Sequence, residues 1–205
     1  VFVRQKTTMR QLLSAALSDW NGTPDLLAQA LLSPKYGTDN DAADRHAVRL
    51  MEMFCDIAAE EAVEPDGSRI IYSLPVTIAD MWHTHEGAAL PATPDGRRAG
   101  APLSENLSPT AGFSRSVTAL LRSVAKLPLD RICSGALNVR LSSGSVRGDE
   151  GAARLKILAD TFFELSGMQL QLSVTDTAQL RDAQLHPENY RDLMVRITGY
   201  SALFV

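Results

Sequence analysis

Residues 136–174 read ALNVRLSSGSVRGDEGAARLKILADTFFELSGMQLQLSV, and this stretch decides the fold. Polar and apolar residues alternate at 136–141 and again at 168–174, which predicts two strands. Residues 151–165, between them, have the length and apolar spacing of a helix. Strands joined by helices are typical of α/β proteins, in which helices cover a sheet or a barrel. The sequence therefore predicts an α/β fold.

The rest of the chain contributes further elements. A long helix is expected at 42–62, with Val48, Met51, Phe54 and Ile57 on one side. Shorter helices are predicted at 9–17, 24–32 (capped by Thr23), 117–127, 177–185 and 187–193, and a third strand at 70–76. Residues 194–198 form a short apolar run that Gly199 ends. The proline-rich loop at 90–109 is long for a compact domain, so we expect it to be functional or firmly anchored.

Composition narrows the class of protein. The chain has 205 residues, of which 45% are apolar and 21% charged, and this predicts a globular chain of one or two domains. A net charge of −4, with no dense basic run, argues against nucleic-acid binding. The sequence shows neither a membrane-length apolar run nor a leader peptide. Because Cys55 and Cys133 are its only cysteines, we expect a reducing cytoplasm. The first residue is not Met, and both ends suggest a piece of a longer polypeptide.

A metal site is one alternative that the sequence leaves open. His83 and His85 would share a face of an extended segment, and Glu86 or His46 could complete a zinc site. The favoured interpretation is a strand end whose polar side chains face a loop. A zinc-binding α/β module therefore remains the lesser alternative.

Several other polar segments have structural explanations. Asp39 and Asp41 could bind a hard cation, but capping of the long helix by residues 39–41 explains them better. Residues 95–100, DGRRAG, could hold an anion, but a tight turn tied down by a forked arginine is favoured. Cys55 is expected in the core. Cys133 has no histidine nearby in the sequence, so we expect both thiols to be inert.

The segment RITGYSA at 196–202 resembles the R-V-x-G-Y-x-A signature of glycyl radical enzymes, the superfamily of pyruvate formate-lyase and the diol dehydratases. Four further blocks resemble that family in the same order: SPKYGTDND at 33–41, TPDGRRAGAPL at 93–103, SVAKL at 123–127, and RDAQ with PENYRDL at 181–193. Residues 167–173 and 112–117 depart from the better-known members, which leaves the substrate open. The five blocks that resemble the family together span nearly the whole chain.

The resemblance implies a fold and a domain layout. Members of the family form a ten-stranded α/β barrel, with the radical glycine in a C-terminal loop inside it. This chain would be the C-terminal part of such a barrel. Residues 1–89 would be the mainly helical end of the lyase barrel domain, and 90–205 the glycine radical domain, truncated before the family's final tail. The catalytic cysteine would lie upstream of this chain.

The resemblance also implies a chemistry. Gly199 would store an unpaired electron, and Arg196 and Tyr200 would support its loop. Asn138 and Gln171 are candidate wall residues of the substrate chamber, because each lies on an alternating strand. The radical would serve C–C cleavage or C–X elimination on a small polar substrate, in a lyase, acyltransferase or dehydratase. No bound metal is implied.

Partners follow from the same resemblance. A separate activating enzyme that uses S-adenosylmethionine and an iron–sulfur cluster would install the radical. The cysteine would come from the rest of the same polypeptide or from a companion chain, and a homodimer is a further expectation. The alternative within the family is a stand-alone radical-domain subunit that repairs a partner lyase.

Overall fold

The structure is a computed structural model that describes residues 6–61, 63–69, 82–110, 112–113, 116–174, 176–197 and 200–204. At Arg196, Ile197, Tyr200 and Ala202 it describes the backbone alone. The predicted strand at 70–76 lies outside the described residues.

Helices dominate the first half of the chain and strands appear in the second. The helices are α1 (Met9–Leu17), α2 (Pro24–Leu32), α3 (Asp41–Glu61), α4 (Trp82–Ala89), α5 (Val117–Ala125), α6 (Gly148–Glu164) and α7 (Thr177–Leu185). The strands are β1 (Ala136–Leu141), β2 (Gln169–Val174), β3 (Met194–Ile197) and β4 (Tyr200–Leu203). Short 3-10 helices lie at Leu129–Arg131, Ser143–Val146 and Pro187–Asn189.

Residues 136–174 fold into a β–α–β unit. β1 and β2 pair in parallel, from Ala136 opposite Gln169 to Leu141 opposite Val174, and α6 connects them. Two parallel strands need a crossover connection, which is usually a helix. β3 and β4 form a separate antiparallel pair, from Met194 opposite Leu203 to Ile197 opposite Tyr200.

The main core lies between the helices and one face of the β1–β2 sheet. Leu137 and Val139 of β1 are buried in it, and Leu170 and Leu172 of β2 pack against it. The helices contribute Met51 and Cys55 of α3, Leu120, Leu121 and Val124 of α5, and Phe162 of α6. This cluster contains residues from both sides of the boundary expected at 89/90. That boundary stays a prediction.

A second, smaller cluster joins α1 and α2. Its buried members are Ala15, Ala16, Trp20, Ala30 and Ala92. Thr8 closes the start of α1 with a capping box to Gln11. Thr23 is the N-cap residue of α2, as expected, but its hydroxyl donates to the Trp20 carbonyl at 3.1 Å and makes no capping hydrogen bond to the helix.

Three expectations about local structure are wrong. The apolar residues expected on one side of α3 do not share one environment, because Met51 is buried whereas Phe54 and Ile57 are exposed. A spacing of three residues drifts by roughly 60° per step around a helix with 3.6 residues per turn. His83 and His85 lie on helix α4 rather than on an extended segment. The helix expected at 187–193 is only the 3-10 turn Pro187–Asn189.

None of the described helices combines the length and the apolar character that crossing a bilayer demands.

Candidate functional site

The two faces of the β1–β2 sheet differ in chemistry. Leu137, Val139 and Leu141 on β1 belong to or pack against the main core. Alternate residues of a strand point to opposite faces, so the other face carries Asn138 and Arg140 of β1 and Gln169, Gln171 and Ser173 of β2. One face is therefore apolar and covered by helices, and the other is polar.

The two residues expected in a chamber wall lie side by side on the polar face. Asn138 is the register partner of Gln171, and Arg140 that of Ser173. Cα atoms in register on paired strands are about 5 Å apart. The structure therefore brings Asn138 and Gln171 together, although it assigns neither a role in binding.

A cavity of about 560 Å³ adjoins Asn138. It is bordered by the start of α4, the long loop, the start of α5 and the end of β1. Its polar lining residues include His83, Glu105, Ser108, Ser116, Asn138 and Arg140. Gln171 does not line this cavity in the described part of the chain. Sequence reasoning missed Glu105 and Ser108, because loop residues carry no periodic signal.

The Asn138 side chain has no hydrogen-bond partner among the described residues. Both Nδ2 and Oδ1 are buried and unpaired. Two main-chain carbonyls of β1 have partners in the long loop, since Ser108 Oγ donates to the Asn138 carbonyl at 3.1 Å and the Leu107 amide donates to the Ala136 carbonyl at 3.1 Å. A buried polar group without a partner costs about 1–3 kcal/mol. An amide left in this state at a cavity wall is suited to binding a small polar molecule or water.

His83 also lines the cavity, and its buried Nδ1 has no hydrogen-bond partner in the part of the chain that the structure describes. Residues two apart on a helix point in different directions, so His83 and His85 do not form one two-histidine face. Within the described residues, no three His, Cys, Asp or Glu side chains group as metal ligands. The structure therefore offers no support to the zinc alternative.

The long loop is held by a buried arginine. Arg97 is 5% exposed, and its guanidinium donates to the carbonyls of Pro91 and Ala101, both at 2.5 Å, and of Gly87, at 3.5 Å. Asp95 accepts hydrogen bonds from the Thr93 hydroxyl and the Arg97 amide. The forked-arginine interpretation is thus confirmed, because the Arg97 donors are directed at backbone carbonyls.

A lysine joins the start of α3 to the end of α5. Lys126 Nζ lies 2.9 Å from Asp39, 2.6 Å from Asp41 and 2.7 Å from Asp44. Desolvation opposes the charge on Lys126, but hydrogen bonds to these carboxylates raise its pKa above the ordinary value. The expected cap within residues 39–41 is confirmed, but Asn40 makes it, since its side chain accepts from the Ala42 amide at 3.0 Å. Asp39 and Asp41 pair with Lys126 instead.

The buried end of this network is Asp44, which is 1% exposed. The Ser123 hydroxyl donates to Asp44 at 3.0 Å and accepts from the Asp39 amide at 2.8 Å. Burial, followed by the charge of Asp44, raises the pKa of the neighbouring Tyr36. Tyr36 therefore stays a neutral donor, and its hydroxyl donates to the Leu107 carbonyl at 2.9 Å. The network thus reaches the loop segment that borders β1.

The expected radical residue lies between β3 and β4 in the chain. Arg196 pairs with Ser201, and Ile197 pairs with Tyr200. The Phe204 amide then donates to the Leu193 carbonyl at 2.8 Å, which extends the pairing by one step. Thr198 and Gly199 lie outside the described residues, as do the side chains of Arg196 and Tyr200. Their roles stay predictions, but the paired strands that bracket them suit a backbone group held from both sides.

Comparison with protein families assigns the chain in two parts. A "Glycine radical" family model matches residues 103–205, which is half of the chain, and a "Pyruvate formate lyase-like" model matches residues 1–80. The glycyl radical is the cofactor of this family.

Curated relatives and solved structures agree with these matches. The chain is 35% identical to a probable dehydratase, YbiW, of Escherichia coli (strain K12) and 32% identical to the trans-4-hydroxy-L-proline dehydratase of Clostridioides difficile. Both alignments cover 100% of this chain and 26% of the relative. The chain therefore spans about a quarter of the length of these relatives.

Two solved structures resemble the whole chain. One is the hydroxyproline dehydratase of Clostridioides difficile, with a TM-score of 0.89 at 30% identity. The other is the B12-independent glycerol dehydratase of Clostridium butyricum, with a TM-score of 0.86 at 32% identity. Each covers 100% of this chain and 26% of the solved chain. The predicted α/β fold of the glycyl radical enzyme type is thereby confirmed, and the chain belongs to the glycyl radical enzyme family, matching the C-terminal part of its longer members.

Proposed function

We propose that this chain is the radical-storing part of an enzyme that eliminates a group from a small polar substrate. The observation that carries the proposal is the β3–β4 pairing, which brackets Thr198 and Gly199 inside the matched glycine radical region. Several relatives are named as dehydratases, another as a sulfite-lyase and others as decarboxylases. These names favour C–X elimination, with C–C cleavage as the second possibility, over acyl transfer for this chain.

Glycine suits the stored radical for a physical reason. With no side chain, Gly199 allows its α-carbon to become planar between the two adjacent amide groups, which share the unpaired electron. When present, the radical supplies hydrogen-atom abstraction through a cysteine outside this chain. Arg196 and Tyr200 flank the site at paired strand positions, where we assign them to holding the loop.

The polar face of β1–β2 is the proposed substrate side. The Asn138 amide has both a donor and an acceptor to offer, and a substrate hydroxyl can satisfy either. Gln171 extends this face on the neighbouring strand. We assign Asn138 to substrate binding and Gln171 to the adjoining wall.

The proposal includes partners. A radical S-adenosylmethionine activating enzyme would act on Gly199, and the cysteine would come from the rest of the polypeptide, in the cytoplasm. The match of residues 1–80 to a lyase-type model favours this arrangement over a stand-alone repair subunit. A companion chain and a homodimer remain parts of the proposal.

Electron spin resonance tests the radical assignment directly. After anaerobic activation of the full polypeptide, we expect an organic radical signal that disappears in Gly199→Ala. Gly144→Ala is the matched control, since a Cβ at Gly144 meets nothing within 4 Å. A signal that persists in Gly199→Ala, or a hyperfine pattern unchanged by deuterated glycine, would contradict the proposal.

A further inference from the structure

A cavity of about 530 Å³ lies between the first three helices. It is lined by Leu12 of α1, by Leu26 and Gln29 of α2, and by Arg45 and His46 of α3. It has no described lining residue in common with the cavity at the end of β1. Small-molecule sites in proteins have volumes of roughly 300–1,000 Å³, so this cavity is large enough to be one.

The charged groups that line this cavity have one sign. Lys6 and Arg45 are cationic and His46 adds a third basic group, whereas no Asp or Glu is among the described lining residues. The net charge of the chain is −4, so the excess of positive charge here is local. A cleft lined by charges of one sign focuses their field and attracts ions of the opposite sign. The cavity therefore favours an anion.

The cations at this cavity have no acidic partner in the described part of the chain. Arg45 and Arg49 lie one turn apart on the same side of α3, and both are exposed. Ion pairs between described residues form among other groups, and none includes Lys6, Arg45 or Arg49. Like charges at this spacing repel one another. An anion bound beside Arg45 would relieve that repulsion.

Neighbouring groups that could compete with an anion are already paired with other cations. Asp41 and Asp44, in the first turn of α3, both contact Lys126, at 2.6 and 2.7 Å. The carbonyls at the end of α2 form the negative end of that helix dipole. Lys35 Nζ donates to one of them, the Ala30 carbonyl, at 2.5 Å. The positive charge at the cavity is therefore available to a ligand.

Much of the remaining lining is aliphatic. Leu12 and Leu26 are half-buried at the cavity, and Pro34 and Pro94 border it. No aromatic side chain is among the lining residues that the structure describes. A surface of this kind suits an alkyl group, because it provides apolar contact but no ring on which a planar base could stack.

We propose that this cavity binds a phosphate monoester that carries a short aliphatic group. A phosphate monoester has a charge of about −1.5 to −2 at neutral pH, which matches two cations, and a guanidinium binds its oxygens bidentately. The phosphate contacts Arg45 and Lys6, and the aliphatic group lies on Leu12 and Leu26. The proposal goes beyond radical storage and does not depend on Gly199.

Calorimetric titration of the full polypeptide without activation tests the class of ligand. The probe is n-butyl phosphate, and the comparison ligands are inorganic phosphate, which lacks the alkyl group, and pentanoate, which has a single charge. We expect n-butyl phosphate to bind at least about fivefold more tightly than either, because only it uses both parts of the cavity. Equal affinity for inorganic phosphate or for pentanoate would overturn the proposal.

A substitution tests the location. Arg45→Gln should weaken n-butyl phosphate binding about tenfold, because a charge-assisted hydrogen bond is lost. Arg154→Gln is the matched control, since Arg154 is an exposed arginine on α6 that pairs with Glu150 and does not line the cavity. Its affinity should equal that of the wild type. An unchanged affinity in Arg45→Gln, or an equal loss in both variants, contradicts the assignment.

Chemical modification provides a second measurement that needs no substitution. The arginine reagent 2,3-butanedione is applied to the full polypeptide with and without saturating n-butyl phosphate, and peptide mass spectrometry follows each arginine. We expect the ligand to slow modification of Arg45 by about fivefold or more and to leave Arg154 unaffected. Protection of neither arginine, or of both equally, shows that the ligand does not occupy this cavity. Both measurements stay informative if radical storage is disproved.

Discussion

At the scale of single residues, the amide of Asn138 lowers stability where it could support binding. Its Nδ2 and Oδ1 are both buried and have no partner among the described residues, although its own carbonyl accepts from Ser108 Oγ. A residue kept only for packing at this position would be apolar, because an apolar side chain of the same shape leaves no polar atom unsatisfied. The arrangement is typical of a side chain retained for a ligand.

Replacing Asn138 by Leu should therefore stabilise the chain and reduce its activity. We expect the free energy of unfolding to rise by about 1–2 kcal/mol, since two unpaired polar atoms are removed from a buried position. Asn189→Leu is the control, because Asn189 is exposed and the substitution should change stability by less than about 0.5 kcal/mol. Urea unfolding measures both variants. A loss of stability in Asn138→Leu would show that the amide is structural.

At the scale of elements, α6 ends against the strand that follows it. Ser166 adopts a positive φ of 67°, and Gly167 then turns the chain toward β2. The ring of Phe162, which is fully buried, occupies the space where a Cβ at Gly167 would lie. The glycine is thus required by close approach between the helix and the turn rather than by an unusual φ of its own.

Gly167→Ala should destabilise the chain by about 1–3 kcal/mol, because the added methyl group overlaps the Phe162 ring in a packed core. Gly144→Ala provides a matched control with open space around the new methyl group. Chemical denaturation of both variants measures the difference. Equal stabilities would mean that the Phe162 ring moves aside at little cost.

The Lys126 network links two elements and should respond to pH. Hydrogen bonding to Lys126 lowers the pKa of Asp39 below its ordinary value of 3.8. Stability from this pair is therefore present above about pH 4 and is lost as the pH falls through the lowered pKa. The raised pKa of Lys126 means that its contribution is fully present below its ordinary value of 10.5 and is lost as the pH rises from there through the raised pKa.

Lys126→Gln should cost about 2 kcal/mol at neutral pH, because the buried Asp44 loses its charged partner. The part of this difference that comes from the Asp39 pair should shrink as the pH falls below about 4 and through the lowered pKa of Asp39. Lys156→Gln is the control. Lys156 pairs with Asp160 on the exposed side of α6, so its loss should lower the free energy of unfolding by less. Urea unfolding between pH 3 and 7 measures the stability of both variants and of the wild type. A difference independent of pH would exclude the carboxylates as its cause.

At the scale of the whole molecule, the two apolar clusters differ greatly in size. The smaller one buries four alanines and Trp20, whereas the larger one contains leucines, a phenylalanine and other large side chains. Burial of less apolar surface provides less stabilisation. The α1–α2 region should therefore open at lower denaturant concentration than the β–α–β unit.

Trp20 reports on this difference, because it is 2% exposed within the smaller cluster. In a Trp82→Phe background, which removes the exposed tryptophan, Trp20 fluorescence should change at lower urea concentration than the far-ultraviolet circular dichroism. The midpoints of the two transitions should be separated by about 0.5 M urea or more, given how steeply the free energy of unfolding usually falls with urea concentration. Coincident transitions would show that both clusters unfold as one unit.

Prediction from the sequence succeeded where apolar periodicity was regular. The expected bounds of α1, α2 and β1 agree with the structure. It failed at α4, whose eight residues WHTHEGAA lack a clear apolar stripe, and at β4, which forms by pairing with β3 across Gly199. Asn138 could be selected by its position on a strand. The cavity could not be predicted, because Glu105 and His83 reach it only through tertiary packing.

The arginine at the centre of the long loop has a consequence for how molecules would reach the cavity. Arg97 ties three carbonyls together, and the Leu103 and Gly100 amides bind the carbonyls of His83 and Leu90. A segment tied at so many points does not swing open as a lid on the timescale of turnover. A small molecule that reaches the cavity would therefore have to do so without displacement of this loop.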